Sequence, residues 1–302
     1  SELHNKQNWK QTIPSLPQLV SHCLAFSLVT LTSFITHAHS VMAITAHTIK
    51  VYLSGISFFC KLITGSPSLA SNHPQITALL KGLIRQEPAK IPRRLPLTSD
   101  LLLACIHTIR SGYCTYHIAR TLEAMFLLAF FGFLRCSEFT SSTIHFDPRH
   151  HACISDLSQF SNDAMVFYIK QSKTNQSGHP TPVFYFNVPS PLNSFETLTS
   201  YLSFRKSQST SSTDPLFVSE VGQVVTRFWF QHHLRHVLSL SGVSPLQYSG
   251  HSFRIGAATS ASRNGVPEHL IKIMGRWSSQ TYHRYIRSDL KDLRSAQTLL
   301  NK

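Results

Sequence analysis

The segment from Glu87 to Pro96 reads EPAKIPRRLP, and its prolines stand at Pro88, Pro92 and Pro96. Each proline fixes its own backbone, lacks an N–H and pushes the preceding residue toward extended conformation. That bias toward extended structure marks the stretch as a linker between bodies on either side. With 302 residues there is room for two domains of ordinary size. The expected division is a domain over 1–86, a linker over 87–97 and a second domain over 98–302. The linker carries Lys90, Arg93 and Arg94, which suit a strand lying along a polyanionic backbone, although the same residues would serve a plain surface connector.

That basic bias extends to the whole molecule. Lys and Arg number 28 against 14 Asp and Glu, a formal net charge of +14. From Val221 to the end there are 11 Lys/Arg and 3 Asp/Glu. Such a surplus favours a polyanionic partner, because each neutralised phosphate releases condensed counterions. Nucleic acid is the leading expectation, ahead of an anionic membrane or an acidic protein. The stretch from Gln11 to Ile49 holds no Asp, Glu, Lys or Arg. Ser21, His22, Ser27, Thr30, Thr32 and Ser33 interrupt its apolar part, so it reads as a soluble helix and no membrane span is expected. None of the six cysteines forms a CxxC pair, which points to reduced thiols in an intracellular protein. The chain begins Ser1-Glu2-Leu3 without Met, which suggests a fragment of a longer product.

Periodicity predicts the elements. Before the linker the pattern is helical: Ile49, Tyr52, Leu53, Ile56 and Phe59 share helical spacing, and Pro74 opens a further helix through Leu79, Leu80 and Leu83. Beyond it, Thr98-Ser99-Asp100 supplies an N-cap, and Thr121 to Leu134 is apolar enough to lie at the centre of a core. At Ile144 the pattern changes. The runs from Val166 to Ile169 and from Val183 to Phe186 read as strands of a hairpin or small sheet with a long turn. Helices return from Val225; Asn264-Gly265 closes one and Pro267 opens the next. The fold class expected is mainly α with a small antiparallel β-sheet.

Five segments are candidates for chemistry. Gly132-Phe133-Leu134-Arg135-Cys136-Ser137-Glu138 puts a basic and an acidic residue at the end of the buried helix. Lys170-Gln171-Ser172-Lys173-Thr174 lies at the turn after the first β-run. In Gly250-His251-Ser252-Phe253-Arg254 the HxxR spacing at a helix start sets both side chains on one face, where they can converge on an anion. Gly275-Arg276-Trp277 and Tyr285-Ile286-Arg287 follow. Singly each has an ordinary structural explanation. The histidines, 18 in all, include His145, His150 and His151 beside Cys153, and His232, His233 and His236, but no HExxH or Cys/His finger spacing occurs. No metal and no cofactor is expected.

In order, the set Arg, Lys, HxxR, His or Trp, Tyr resembles the catalytic signature of the tyrosine recombinase (phage integrase) family. The gaps of 23 from Arg254 to Trp277 and 8 from Trp277 to Tyr285 fit that family's close spacing. The GRW form, the HSFRIGAATSA run and the RRLPLT linker look most like recombinases of eukaryotic mobile elements of the DIRS, Ngaro or Crypton kind. Thr48 to Ser54 resembles the DNA-binding helix of the family's N-terminal domain, with Lys50 and Tyr52 as contacts, joined by Arg93, Arg94 and Arg276.

The resemblance implies a helical core-binding domain followed by a catalytic domain, working in the nucleus on double-stranded DNA. It also implies a tetramer, assembled through a C-terminal helix between Asp289 and Asn301. Arg135 and Arg254 would fork onto the non-bridging oxygens of one phosphodiester. Tyr285 would be the nucleophile, with Tyr282 three residues earlier as its competitor. His251 would take or steer the phenol proton, and Trp277, standing where many relatives carry His, offers an indole N–H. Lys173 would protonate the leaving 5′-oxygen, with Lys170 as the competing candidate, and Glu138 would orient the site. Two rivals share the signature: a type IB topoisomerase relaxing supercoils, and an inactive DNA-binding descendant of a mobile element.

Overall fold

The structure is a computed structural model, and it describes residues 27–65, 73–88, 94–170, 179–208 and 211–287. The chain divides into two compact units, Ser1–Ile91 and Pro92–Lys302.

Within the described residues of the first unit run α1 (Leu28–Ser40), α2 (Ala46–Thr64) and α3 (Pro74–Gln86). Each begins at a residue whose side chain accepts a backbone N–H: Ser27, Thr45 and His73. Those caps satisfy donors that have no intrahelical partner. Leu31, Ile35 and Ala38 of α1 pack with Ile49 and Leu53 of α2 and Ile76 of α3. The described part of the charge-free stretch, residues 27–49, thus contributes Leu31, Ile35, Ala38 and Ile49 to a small helical core. Among the described residues no helix is long and apolar enough to cross a membrane.

The second unit opens on α4 (Ser99–Arg110) and α5 (Tyr116–Phe131). The run from Leu122 to Ala129 on α5 is buried all round except at Glu123, so α5 is the axis of this unit, as its composition predicts. The strands β1 (Leu157–Ser161), β2 (Ala164–Ile169) and β3 (Thr181–Phe186) form an antiparallel sheet in the order β1-β2-β3. The expected hairpin thus has a third strand, which the polar sequence Leu-Ser-Gln-Phe-Ser conceals. Tyr185 of β3 is buried and its hydroxyl donates to the Leu128 carbonyl at 3.0 Å, fixing the sheet to the end of α5.

Helices α6 (Ser194–Lys206), α7 (Arg227–Leu240), α8 (His251–Arg263) and α9 (Glu268–Met274) complete the unit. Phe126, Phe230 and Phe253 meet ring to ring where α5, α7 and α8 cross. The residues just after the unit boundary lie as a strap along α8. Leu95 N–H donates to the Gln247 carbonyl at 2.9 Å, Leu97 N–H to the Ser252 carbonyl at 3.0 Å and Ser99 N–H to the Ser260 hydroxyl at 3.0 Å. Gly256 lies beneath the strap, and a Cβ there would fall 1.7 Å from the Leu97 carbonyl oxygen. Only glycine allows so close a crossing.

Candidate active site

The turn leaving α5 supplies the first arginine. Phe133 takes a left-handed backbone, φ +49°, which redirects the chain so that Arg135 begins a 3₁₀ turn over Cys136–Glu138. Such a conformation costs a non-glycine residue about 1–2 kcal/mol, so neighbouring bonds have to hold it. Glu138 provides several. Its carboxylate accepts the Arg135 backbone N–H at 2.9 Å and Arg135 Nη1 at 2.9 Å. The Arg135 side chain retains 20% of its exposure, whereas that of Glu138 keeps 1%.

Helix α8 supplies the second arginine. His251 is its first residue and stays exposed, while Arg254, one turn on, is fully buried. Arg254 Nη1 donates to the Phe133 carbonyl, and Nη2 donates to the Gly275 carbonyl at 2.5 Å. Its guanidinium carbon lies 4.4 Å from the centre of the Trp277 ring and 5.5 Å from that of Tyr285. Burial, then the positive charges of Arg135 and Arg276, push its pKa down to about 10, so it stays cationic at neutral pH. The two motifs are welded together at Gly250, where a Cβ would stand 2.9 Å from the Cys136 side chain.

Tyr285 closes the pocket. Its ring lies 5.2 Å from the His251 ring and 5.0 Å from that of Trp277. The Thr259 hydroxyl, two turns along α8 from His251, donates to the Tyr285 carbonyl at 3.1 Å and accepts the Arg287 N–H at 3.1 Å. Sequence reading assigns Thr259 no role, though its place eight residues after His251 was the available signal. Desolvation of the His251 ring, and then Arg254, Arg135, Arg287 and Arg227, hold its pKa below the usual histidine value. A neutral imidazole facing a phenol in a field of arginines is an acceptor for the phenol proton. The indole nitrogen of Trp277 and Nε of Arg254 are buried with no hydrogen-bond partner among the described residues.

The competing candidates have other employment. Tyr282 is buried, and its hydroxyl donates to Glu268 at 2.6 Å, which raises its pKa. Lys170 reaches Asp156 at 2.7 Å, the Pro148 carbonyl at 2.7 Å, the His151 carbonyl at 3.0 Å and Cys153 Sγ at 3.0 Å. Although burial lowers its pKa, the bonds to Asp156 and Cys153 raise it overall. Lys170 is thereby held by four groups in a part-buried knot. Lys173 lies outside the described residues, as do Arg93 and the tail from Asp289 to Asn301.

Of the DNA contacts expected, Lys50 and Tyr52 are exposed on α2, and Arg94 is exposed with Nη1 on the Leu246 carbonyl at 2.9 Å. The expectation for Arg276 does not match its placement. Its backbone is left-handed, φ +55°, and its guanidinium turns inward, 16% exposed, onto Glu138 and the Gly132 and Phe133 carbonyls. A helix-end sequence reads as surface, but the reversed backbone at this position aims the side chain back under α5. Among the described residues no three His, Cys, Asp or Glu side chains gather as metal ligands.

Comparisons with known proteins bear on the family and the fold. A model of the phage integrase family matches residues 102–291. In fold the chain is similar to the XerH site-specific recombinase bound to palindromic difH substrate in a post-cleavage complex. That likeness has a TM-score of 0.60 and 16% identity, over 95% of this chain and 78% of the other. It is also similar to the Tn1549 transposon integrase in complex with transposon right end DNA, with a TM-score of 0.59 and 10% identity, over 99% of this chain and 98% of the other. A search of curated proteins gives no match.

Proposed function

Because this chain belongs to the phage integrase family, the enzymes known as tyrosine recombinases, we propose that it cuts and rejoins DNA through a 3′-phosphotyrosine at Tyr285. The observation carrying this reading is the packing of one phenol ring against both an imidazole, at 5.2 Å, and a buried guanidinium, at 5.5 Å. The phenol oxygen attacks phosphorus as His251 takes its proton. The bond from phosphorus to the 5′-oxygen breaks, and Lys173 protonates the leaving oxygen. Arg135 and Arg254 offset the charge that grows on the non-bridging oxygens, where preorganised donors are worth most. The orphaned Trp277 N–H is suited to one of those oxygens, and Glu138 orients Arg135. Since Tyr285 and Trp277 cover Arg254, binding of the phosphate requires these rings to shift. The phosphotyrosine retains the energy of the broken bond, so a second 5′-hydroxyl can reseal the strand without ATP or a metal.

The partner is double-stranded DNA, held through Lys50, Tyr52, Arg93 and Arg94. The protein acts in the nucleus as a tetramer joined by its C-terminal tail, in integration or excision of a mobile element. Two of the fold relatives carry DNA in their structures, and the Tn1549 integrase is a transposon protein.

A duplex nicked beside the scissile phosphate tests the chemistry, because loss of the short end traps the covalent complex. The expected result is an adduct with the natural chain, none with Tyr285→Phe, and one within about threefold of normal with Tyr282→Phe, whose hydroxyl serves only one structural bond. Plasmid relaxation with no strand transfer between duplexes would instead favour a type IB topoisomerase. DNA binding without any adduct would favour the inactive descendant.

A further inference from the structure

Arg276 has no part in the chemistry above, yet it shares a bonding partner with each of the two catalytic arginines. Nη1 donates to the Gly132 carbonyl at 2.8 Å and to the Met274 carbonyl at 3.2 Å. Nη2 donates to the Phe133 carbonyl at 3.2 Å and to Glu138 Oε2 at 3.2 Å. The same Phe133 carbonyl accepts Nη1 of Arg254, and the same carboxylate accepts Nη1 of Arg135. Phe133 and Arg276 are both left-handed, and each faces the other across this knot.

We propose that Arg276 is a positioning residue that sets Arg135 and Arg254 toward one phosphate, acting through the Glu138 carboxylate and the Phe133 carbonyl. This rests on the reading of the pocket as a DNA-cleaving site. One carbonyl oxygen is shared by Arg254 and Arg276, and the two oxygens of one carboxylate are divided between Arg135 and Arg276, so the spacing of the catalytic pair is set by the third arginine. Without it, Glu138 keeps Arg135 alone as a cation, and the Phe133 carbonyl keeps Arg254 alone as a side-chain donor. The planar fork matters as well as the charge. A lysine could reach Glu138 but could not also span the two carbonyls from a second nitrogen.

Glycine is the informative replacement, because it accepts the left-handed backbone and removes only the brace. The comparison uses the natural chain, Arg276→Gly and Arg276→Lys. It measures single-turnover adduct formation on the nicked duplex at saturating protein, DNA affinity across a salt series, and melting temperature. Arg276→Gly is expected to slow adduct formation ten- to a hundredfold, with affinity and the salt slope unchanged. Arg276→Lys should recover part of that loss. Undiminished cleavage by Arg276→Gly overturns the proposal. So does a salt slope smaller by about one with normal cleavage of bound DNA, the mark of a phosphate contact. Should Arg276→Gly fail to fold, a folded Arg276→Lys that cleaves at the full rate overturns it equally. No adduct from the natural chain would sink the cleavage reading, and this role with it. An adduct from the natural chain with an unaffected Arg276→Gly sinks this inference alone.

Discussion

The two guanidiniums of the pocket are held in opposite ways. Arg254 sits inside α8 with no exposed surface, tied to two backbone carbonyls and covered by two aromatic rings. Arg135 stands on a short turn, a fifth exposed, tied to one carboxylate. The first is a structural member of the unit as well as a candidate for chemistry. The second is a candidate for chemistry alone, and its aim depends on its neighbours. Burial decides the difference: a charge removed from water needs several fixed partners, and those partners in turn come to depend on it.

Replacing each arginine by alanine should separate these roles. Arg254→Ala strands the Gly275 carbonyl, deprives the Phe133 carbonyl of one of its two donors and opens a cavity, a loss of about 3 kcal/mol or more. In a unit of this size that lowers the melting temperature by about 6–12 °C, and adduct formation should vanish. Arg135→Ala should reduce cleavage by about a hundred- to a thousandfold, the usual effect of losing one oxyanion donor. Glu138 would keep Arg276, so its melting temperature should move by less than about 4 °C. Equal melting shifts for the two would break the contrast.

A similar division is expected between the lysines. Lys170→Met leaves the Asp156 carboxylate without its cation and should cost about 3 kcal/mol, with cleavage by the folded protein within about threefold of normal. Lys173→Met should leave melting unchanged and slow cleavage by about a hundredfold, as loss of a general acid does. The opposite result would return the acid role to Lys170.

The smallest effect is one of acidity. His233 is buried on α7, with Nδ1 2.7 Å from the Tyr113 hydroxyl, and burial brings its pKa down to about 4. The neutral form is therefore favoured on folding. Its stabilisation is complete above the free histidine value of about 6.5 and is lost as pH falls toward about 4, by at most about 1.4 kcal/mol per unit. Melting measured from pH 7 to pH 4 should decline, and His233→Gln should flatten the decline. Cleavage should also fall as pH drops below the usual histidine value, because desolvation and the surrounding arginines make His251 gain its proton below that value. A His233→Gln protein that keeps the full acid slope in melting would contradict the assignment.

Local signals were legible where a residue's surroundings are its sequence neighbours. The helix opened by Pro74, the buried run on α5 and the HxxR start of α8 follow from periodicity and composition, and α4 starts at the expected Thr98, although that side chain makes no capping bond. The order of Arg135, His251, Arg254, Trp277 and Tyr285 was also readable, and the fold brings all five to one place. Illegible were contacts made across the chain. Lys170 and Lys173 look alike until Asp156 and the carbonyls of Pro148 and His151 are seen around the former. Arg276 reads as a surface cation because nothing in GRW announces a reversed backbone. Strand β1 has three polar positions in five, and it forms because β2 offers it a ladder.

The strap over Gly256 has a mechanical consequence. Leu97 is sealed against the helix that begins with His251, only one turn before Arg254. Any strain on Leu97 reaches that helix as a lateral load near its first turn, through the bond from its N–H to the Ser252 carbonyl. A bulkier residue at position 256 would lift Leu97 off the helix and unfasten the edge that backs His251 and Arg254.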